Sequence, residues 1–151
     1  MSLKPVDDRI VRFIDKHHVL NLATCKNSIP YCANCFYVYL REENMFVFSS
    51  DMDTRHAQEA IQNNIVAGSV VLETKKPGLI QGLQIQGRME RINEENKKKA
   101  RKAYFKRFPY AQVMDVELWT LHVGFFKLTD NRLGFGKKII WQDESFIKSV
   151  T

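Results

Sequence analysis

Apolar residues recur along this chain at two different periods, and the switches between them divide it into short elements. Val6, Ile10, Phe13 and Ile14 fall at helical spacing, which predicts an amphipathic helix within Val6 to His17. Val19 to Lys26 reads as a strand, Asn27-Ser28-Ile29-Pro30 as a turn, and Tyr31 to Leu40, rich in aromatic and β-branched residues, as a second strand. After the polar turn Arg41 to Asn44, Met45 to Ser49 gives a third strand. Tight turns between three successive strands predict an antiparallel meander. Thr54 to Asn63 reads as a short helix with Ala57, Ala60 and Ile61 inward, and Ile65 to Thr74 returns to an apolar, β-branched run. Lys75-Lys76-Pro77-Gly78 breaks it, and Leu79 to Ile92 resumes with alternation through Leu83, Ile85, Gly87 and Met89. A helix over Glu94 to Arg107 follows. Pro109 ends it, and Leu118 to Thr129 reads as the final long strand.

Six strands with short helices between them predict a mainly β (α+β) fold, closed or nearly closed into an antiparallel barrel, because an open sheet would expose its edges. With 151 residues, 44% of them hydrophobic, the chain suffices for one domain, 1–151, around one substantial core. No apolar run reaches the length of a membrane span, and Met1 to Asp8 lacks the apolar centre of a signal peptide, so a cytoplasmic protein is expected. Cys25, Cys32 and Cys35 lie in strand-like sequence and are expected as reduced, buried thiols. Cys32 and Cys35 stand at i and i+3 on a strand, hence on opposite faces, which argues against a shared metal or disulfide.

The net charge of +6 is concentrated in Glu94 to Arg107, which holds seven basic and two acidic residues; the remainder is nearly balanced. Lys98, Lys102 and Lys106 form one stripe with Lys99 beside it, and Ala100, Ala103, Tyr104 and Phe108 lie opposite. Lys97 and Arg101 fall inside the apolar arc. This is the pattern of a solvated amphipathic helix, and without interleaved aromatics it does not favour nucleic acid. His17 and His18 close the first helix, His122 sits in the last long strand, and Trp119 and Trp141 read as core or interface aromatics.

The segment from Phe46 to Ala57 carries the most chemistry. An apolar strand gives way to Ser49 and Ser50, then to a helix start bearing Thr54, Arg55 and His56. Strand-end hydroxyls, free N–H groups of a first helical turn and a guanidinium suit a phosphate monoester. The alternative is an ordinary helix capped by Asp53, with Arg55 and His56 solvated.

Three segments resemble the FMN-binding split-barrel superfamily typified by pyridoxamine 5′-phosphate oxidase. They are Leu22-Ala23-Thr24 followed by Pro30; Phe48-Ser49-Ser50 with Thr54-Arg55-His56-Ala57 and Asn63; and Leu83-Gln84-Ile85-Gln86-Gly87 with Glu90. The stretch Thr129 to Gly136 resembles the bacterial YhbP-like branch. The resemblance implies a six-stranded split barrel and a homodimer with FMN at its interface. It also implies that Ala33, Asn34, Cys35 and Phe36 run beside the isoalloxazine and ribityl chain, and that Ser49 and Ser50 form the strand-end pair. Thr54, Arg55 and His56 would hold the phosphate, and Gln81 or Gly82 would touch the flavin. Two departures weaken that site: the oxidases carry Arg where this chain has Ala33, and Lys where it has His56. Nothing matches the oxidases' C-terminal substrate segment, so the expected activity is flavin-dependent oxidation or reduction of an unidentified small molecule, with no catalytic side chain assigned. Two alternatives rank below it: haem in place of flavin, bound through a histidine such as His122, and a non-enzymatic binding module using a degraded phosphate site or the basic helix.

Overall fold

The structure is a computed structural model and describes residues 3–151. Met1 and Ser2, the start of the segment read as lacking a signal-peptide core, lie outside the described residues. The elements are α1 (Asp8–Lys16), β1 (Val19–Lys26), β2 (Ile29–Leu40), β3 (Met45–Ser49), α2 (Arg55–Gln62), β4 (Ile65–Val71), β5 (Gln81–Arg91), α3 (Glu94–Arg107), β6 (Leu118–Asp130), β7 (Lys138–Gln142) and α4 (Glu144–Val150). The turn between β1 and β2 is tighter than expected. Asn27 and Ser28 alone form it, at φ 52° and 65°, and Lys26 pairs with Ile29 directly. Two positive-φ residues twist a hairpin in the same sense as its strands, which is why an Asn-led pair works here. Pro30 therefore lies inside β2, beyond the reach of β3, where its missing N–H is not required.

All pairings are antiparallel, in the order β3-β2-β1-β4-β5-β6-β7, and β6 also pairs with β3. The first half of β6, residues 118–122, bonds to β3 and its second half, residues 125–129, bonds to β7. The pairings thus close β1 to β6 into a ring and append β7. Seven strands replace the six expected, and Leu118–Asp130 is not the last of them. At the bulge between Gln86 and Gly87, a Cβ on Gly87 would stand 2.2 Å from His122 O, so a glycine is needed for the strands to approach.

Inside the ring lie Leu20, Leu22, Tyr37, Phe46, Phe48, Leu83, Ile85 and Phe126, all essentially inaccessible. At roughly 1.5–3 kcal/mol for each large side chain, this core is the main source of stability. α1 contributes Ile10 and Ile14 to it and is pinned by Tyr37, whose hydroxyl donates to Ile14 O at 2.7 Å. A second cluster, including Leu40, Met45, Val47 and Leu118, is covered by Ala100 and Tyr104 of α3 and by Phe108 at its C-terminal end, the face expected. Away from α3 and α4, the outward side of the sheet is left open. One row across it, set by the register, is Asn34, Asn21, Ser69, Gln84, Lys127 and Ile140; Phe36, Val19 and Val71 flank it and are about half exposed or more.

Two burial expectations are corrected. Ile61 is 54% exposed while Glu59 is 5% exposed, so α2 turns a carboxylate inward in place of an isoleucine. Of the three thiols only Cys35 is buried; Cys25 is half-buried and Cys32 exposed, because β2 alternates and Cys32 falls on the open side.

Candidate functional site

The loop from β3 to α2 is held by the strand that closes the ring. Ser50 N–H donates to Glu117 O at 3.1 Å, and Ser50 O accepts from Nε1 of the buried Trp119 at 2.9 Å. Thr54, rather than the exposed Asp53, caps α2: its Oγ1 accepts the Ala57 N–H at 3.3 Å and donates to Asp51 O at 2.8 Å. In a helix start of this geometry the N–H groups of Arg55 and His56 have no intrahelical acceptor and point outward along the axis.

Four side chains converge at this point. Ser50 Oγ lies 2.6 Å from His56 Nε2 and 3.8 Å from Cys35 Sγ, and Thr54 Oγ1 lies 3.5 Å from His56 Nε2. Burial pushes the His56 imidazole below its ordinary pKa, opposed by the charge of Glu59, so the ring is mostly neutral at pH 7. Burial likewise pushes the Cys35 thiol up, against the Ser50 hydrogen bond, which keeps it protonated and unreactive.

Arg55 is fixed separately. Its Nε donates to Glu59 Oε2 at 3.2 Å, its guanidinium carbon stands 4.1 Å over the Tyr31 ring, and its side chain is 54% exposed. It borders a cleft of about 300 Å³ together with Lys26, Asn27, Ile29, Gln58, Glu59 and Gln62. Tyr31 and Glu59 were not singled out in the sequence, although Arg and Glu at i and i+4 are a legible helix pair.

The remaining candidates are divided by strand geometry. Cys35 joins the cluster, and Ala33 shares its side of β2, whereas Asn34 and Phe36 are exposed on the open face. Ser49 ends β3 opposite Leu118 and forms no hydrogen bond to the cluster among the described residues. Gln81 and Gly82 begin β5, paired with Asp130 and Thr129. The other end of β5 is tied toward Ser50 by Arg91, which bonds Glu117 at 3.0 Å. Ten residues of strand, on the order of 30 Å, separate the two ends, so a single chain does not bring Gln81 or Gly82 to the cluster. His122 lies elsewhere, half-buried, its Nε2 3.2 Å from Thr120 Oγ1.

The start of α2 fits a phosphate monoester, since two hydroxyls, an imidazole and outward N–H groups meet there. Arg55, held over Tyr31 and beside Glu59, borders a cleft of its own, its terminal nitrogens making no hydrogen bond among the described residues. The fit is incomplete where Ala33 offers no charge.

An antiparallel strand ring whose third strand runs into a hydroxyl- and imidazole-lined helix start is the fold class these elements define. The chain belongs to the pyridoxamine 5′-phosphate oxidase family, whose model matches residues 6–120. Its relatives are YhbP-like. It is 39% identical over 133 residues to a UPF0306 protein of Photorhabdus laumondii, covering 88% of this chain and 93% of the relative. To the UPF0306 protein YhbP of Escherichia coli O127:H6 it is 37% identical over 133 residues, covering 88% and 95%. Among solved structures it is similar in fold to a heme-binding protein from Mycobacterium smegmatis, with a TM-score of 0.74, 18% identity and coverage of 97% of this chain and 62% of that one. It is also similar to an FAD-binding protein from Mesorhizobium loti, with a TM-score of 0.67, 14% identity and coverage of 85% and 97%.

Proposed function

We propose that this chain is an FMN-binding, cytoplasmic, homodimeric flavoprotein that oxidises or reduces a small molecule. The observation that carries the reading is the convergence of Ser50 Oγ, Thr54 Oγ1 and His56 Nε2 within 3.5 Å at the start of α2. Ser50, Thr54, Arg55 and His56 would hold the flavin phosphate, by charge-assisted hydrogen bonds where the donor is cationic. Flavin, when bound, supplies hydride or electron transfer, and the protein supplies position and electrostatics. Ser50 is rigid because two bonds tie its backbone to the start of β6, which suits a group that must keep a phosphate in register.

The second copy is assigned to the open sheet face. That face is broad, with Val19, Phe36, Val71 and Ile140 exposed among amides and small residues and its charge confined to lysines such as Lys127 and Lys138 on β6 and β7, a composition suited to an interface core with a charged edge. Asn34 and Phe36 then belong to the interface, where the resemblance puts the flavin ring. Val19→Glu should convert the dimer to monomer on gel filtration; an unchanged elution volume would remove the interface from this face.

Relatives in fold include heme- as well as FAD-binding proteins. FMN is preferred here because hydroxyls and an imidazole converge at the start of α2, a donor set suited to a phosphate, whereas His122 Nε2 lies beside Thr120 Oγ1. The deciding measurement is an absorbance spectrum before and after adding FMN and gel-filtering the excess. Co-eluting flavin bands support the reading. A Soret band from added haem would replace it, and retention of neither would favour the non-enzymatic module and its basic helix.

A further inference from the structure

We infer that Glu59 is a positioning residue that aims the Arg55 guanidinium at a ligand phosphate; the inference rests on the flavin-phosphate reading of this site. The first argument is what α2 gives up to place it. The helix has eight residues and covers the Thr24 and Tyr31 end of β1 and β2, where an apolar side chain would be expected. It instead buries Glu59 and leaves Ile61 54% exposed. A surface-exposed arginine does not repay burial of a carboxylate through stability alone, since such pairs contribute little and desolvation opposes them. A local rule broken in this way is characteristic of functional positions.

The second argument is the geometry of the pair. Glu59 engages Nε alone, at 3.2 Å, and Tyr31 supports the flat face of the guanidinium. Nε and the face are thereby fixed, while the two terminal nitrogens remain available, and these are the groups that grip a phosphate in a bidentate manner. An arginine held at two points loses less freedom on binding an anion than one on a free stem. Glu59 contributes only one oxygen to this arrangement. Its Oε1 is buried without a hydrogen-bond partner, as is Oγ1 of Thr24, the residue directly across from Tyr31. The side chain is therefore arranged for its contact with Arg55 rather than for its own satisfaction.

The same carboxylate also lies close enough to His56 to raise its pKa against the effect of burial. Glu59 thus touches one basic group of the site directly and biases the other through its field, an effect that its own repulsion of a phosphate opposes.

The test is titration of wild type, Glu59→Ala and Glu59→Gln with FMN and, in parallel, with riboflavin, followed by quenching of flavin fluorescence. Riboflavin shares the ring and ribityl chain but has no phosphate. Glu59→Ala should weaken FMN about tenfold and leave riboflavin unchanged. Glu59→Gln, which retains an oxygen to accept the Nε–H, should bind FMN at least as tightly as wild type. If Glu59→Ala binds FMN as wild type does, or if it weakens FMN and riboflavin equally, Glu59 does not aim Arg55 and the inference is overturned. Failure of Glu59→Gln to restore FMN binding overturns it as well. Wild type that binds neither flavin would instead sink the flavin reading itself, and this inference with it.

Discussion

Helices α2 and α3 are both amphipathic in sequence, yet only α3 behaves as its pattern dictates. In α3, Lys98, Lys102 and Lys106 face solvent, Ala100 and Tyr104 are buried, and Lys97 and Arg101 stay at the surface, Lys97 near Glu94 and Arg101 over Phe105. In α2 the inward face carries Ala57 and Ala60 but also Glu59, and Ile61 is turned out. The difference separates scaffold from site. α3 covers a secondary core and needs only the hydrophobic effect, whereas α2 gives up part of that effect to present a cap, an imidazole and a fixed guanidinium at one end.

Substitutions that exchange the two behaviours test this contrast. The largest effect is expected from Ala100→Glu, which would give α3 the buried carboxylate of α2 without an arginine to meet it. Leaving a buried charge unpaired costs about 3 to 5 kcal/mol, or a fall in melting temperature on the order of 10 °C, visible by circular dichroism. A melting temperature within a degree or two of wild type would show that α3 tolerates what we assign only to α2.

Next in size is Arg55→Ala, which should weaken FMN by one to two decades, the loss of a charge-assisted hydrogen bond at about 1.5 to 3 kcal/mol. Isothermal titration calorimetry would read it, and an unchanged affinity would remove Arg55 from the site. His56 makes the affinity depend on pH. Its folded pKa is lowered by burial, so the free protein is mostly neutral there at pH 7, and a phosphate must draw a proton onto the ring. FMN should therefore bind more tightly as the pH falls from 8 toward 6.5, by at most about tenfold per unit. His56→Gln should flatten the profile. For the ligand-free protein the sign reverses: the unfolded chain takes up the proton at the higher pKa, so this group withdraws stability as the pH drops through 6.5 and below. The smallest effect belongs to Ile61→Gln. An isoleucine already turned to solvent should change stability by no more than about 0.5 kcal/mol in chemical denaturation, and a clear loss would mean that α2 has a partner on that side.

Much of the ring was legible in the chain. β1, β3 and α3 fall where the pattern puts them: β1 alternates and α3 recurs over its length, while β3 is a short apolar run between polar segments. β7 and α4 were missed. β7 has five residues, of which Trp141 alone is buried, and α4 has seven, of which Phe146 alone is buried, too few for a period to register. A glycine did mark the spot: Phe146 packs on Gly124, where an added Cβ would stand 2.1 Å from its ring. At the site, the hydroxyls and His56 were readable because the helix start brings neighbours in sequence together. The Glu59 and Tyr31 support was legible only in part: the i, i+4 spacing marks Glu59 as a partner for Arg55, but burial of that carboxylate is decided by how α2 lies on the hairpin.

Closure of the ring also has a bearing on synthesis. Residues 45–49 bond to residues 118–122, across about half the chain, and the Ser50 loop hangs from Glu117 and Trp119. Contacts between segments so far apart form late, after the intervening loop entropy has been overcome. A ribosome-bound chain would display the β1 to β3 meander while the proposed phosphate cradle was still open, and any cofactor capture there would have to wait until most of β6 had emerged. Truncation before Leu118 should accordingly leave the resulting fragment unable to hold flavin, even though Ser50, Thr54, Arg55 and His56 are all present in it.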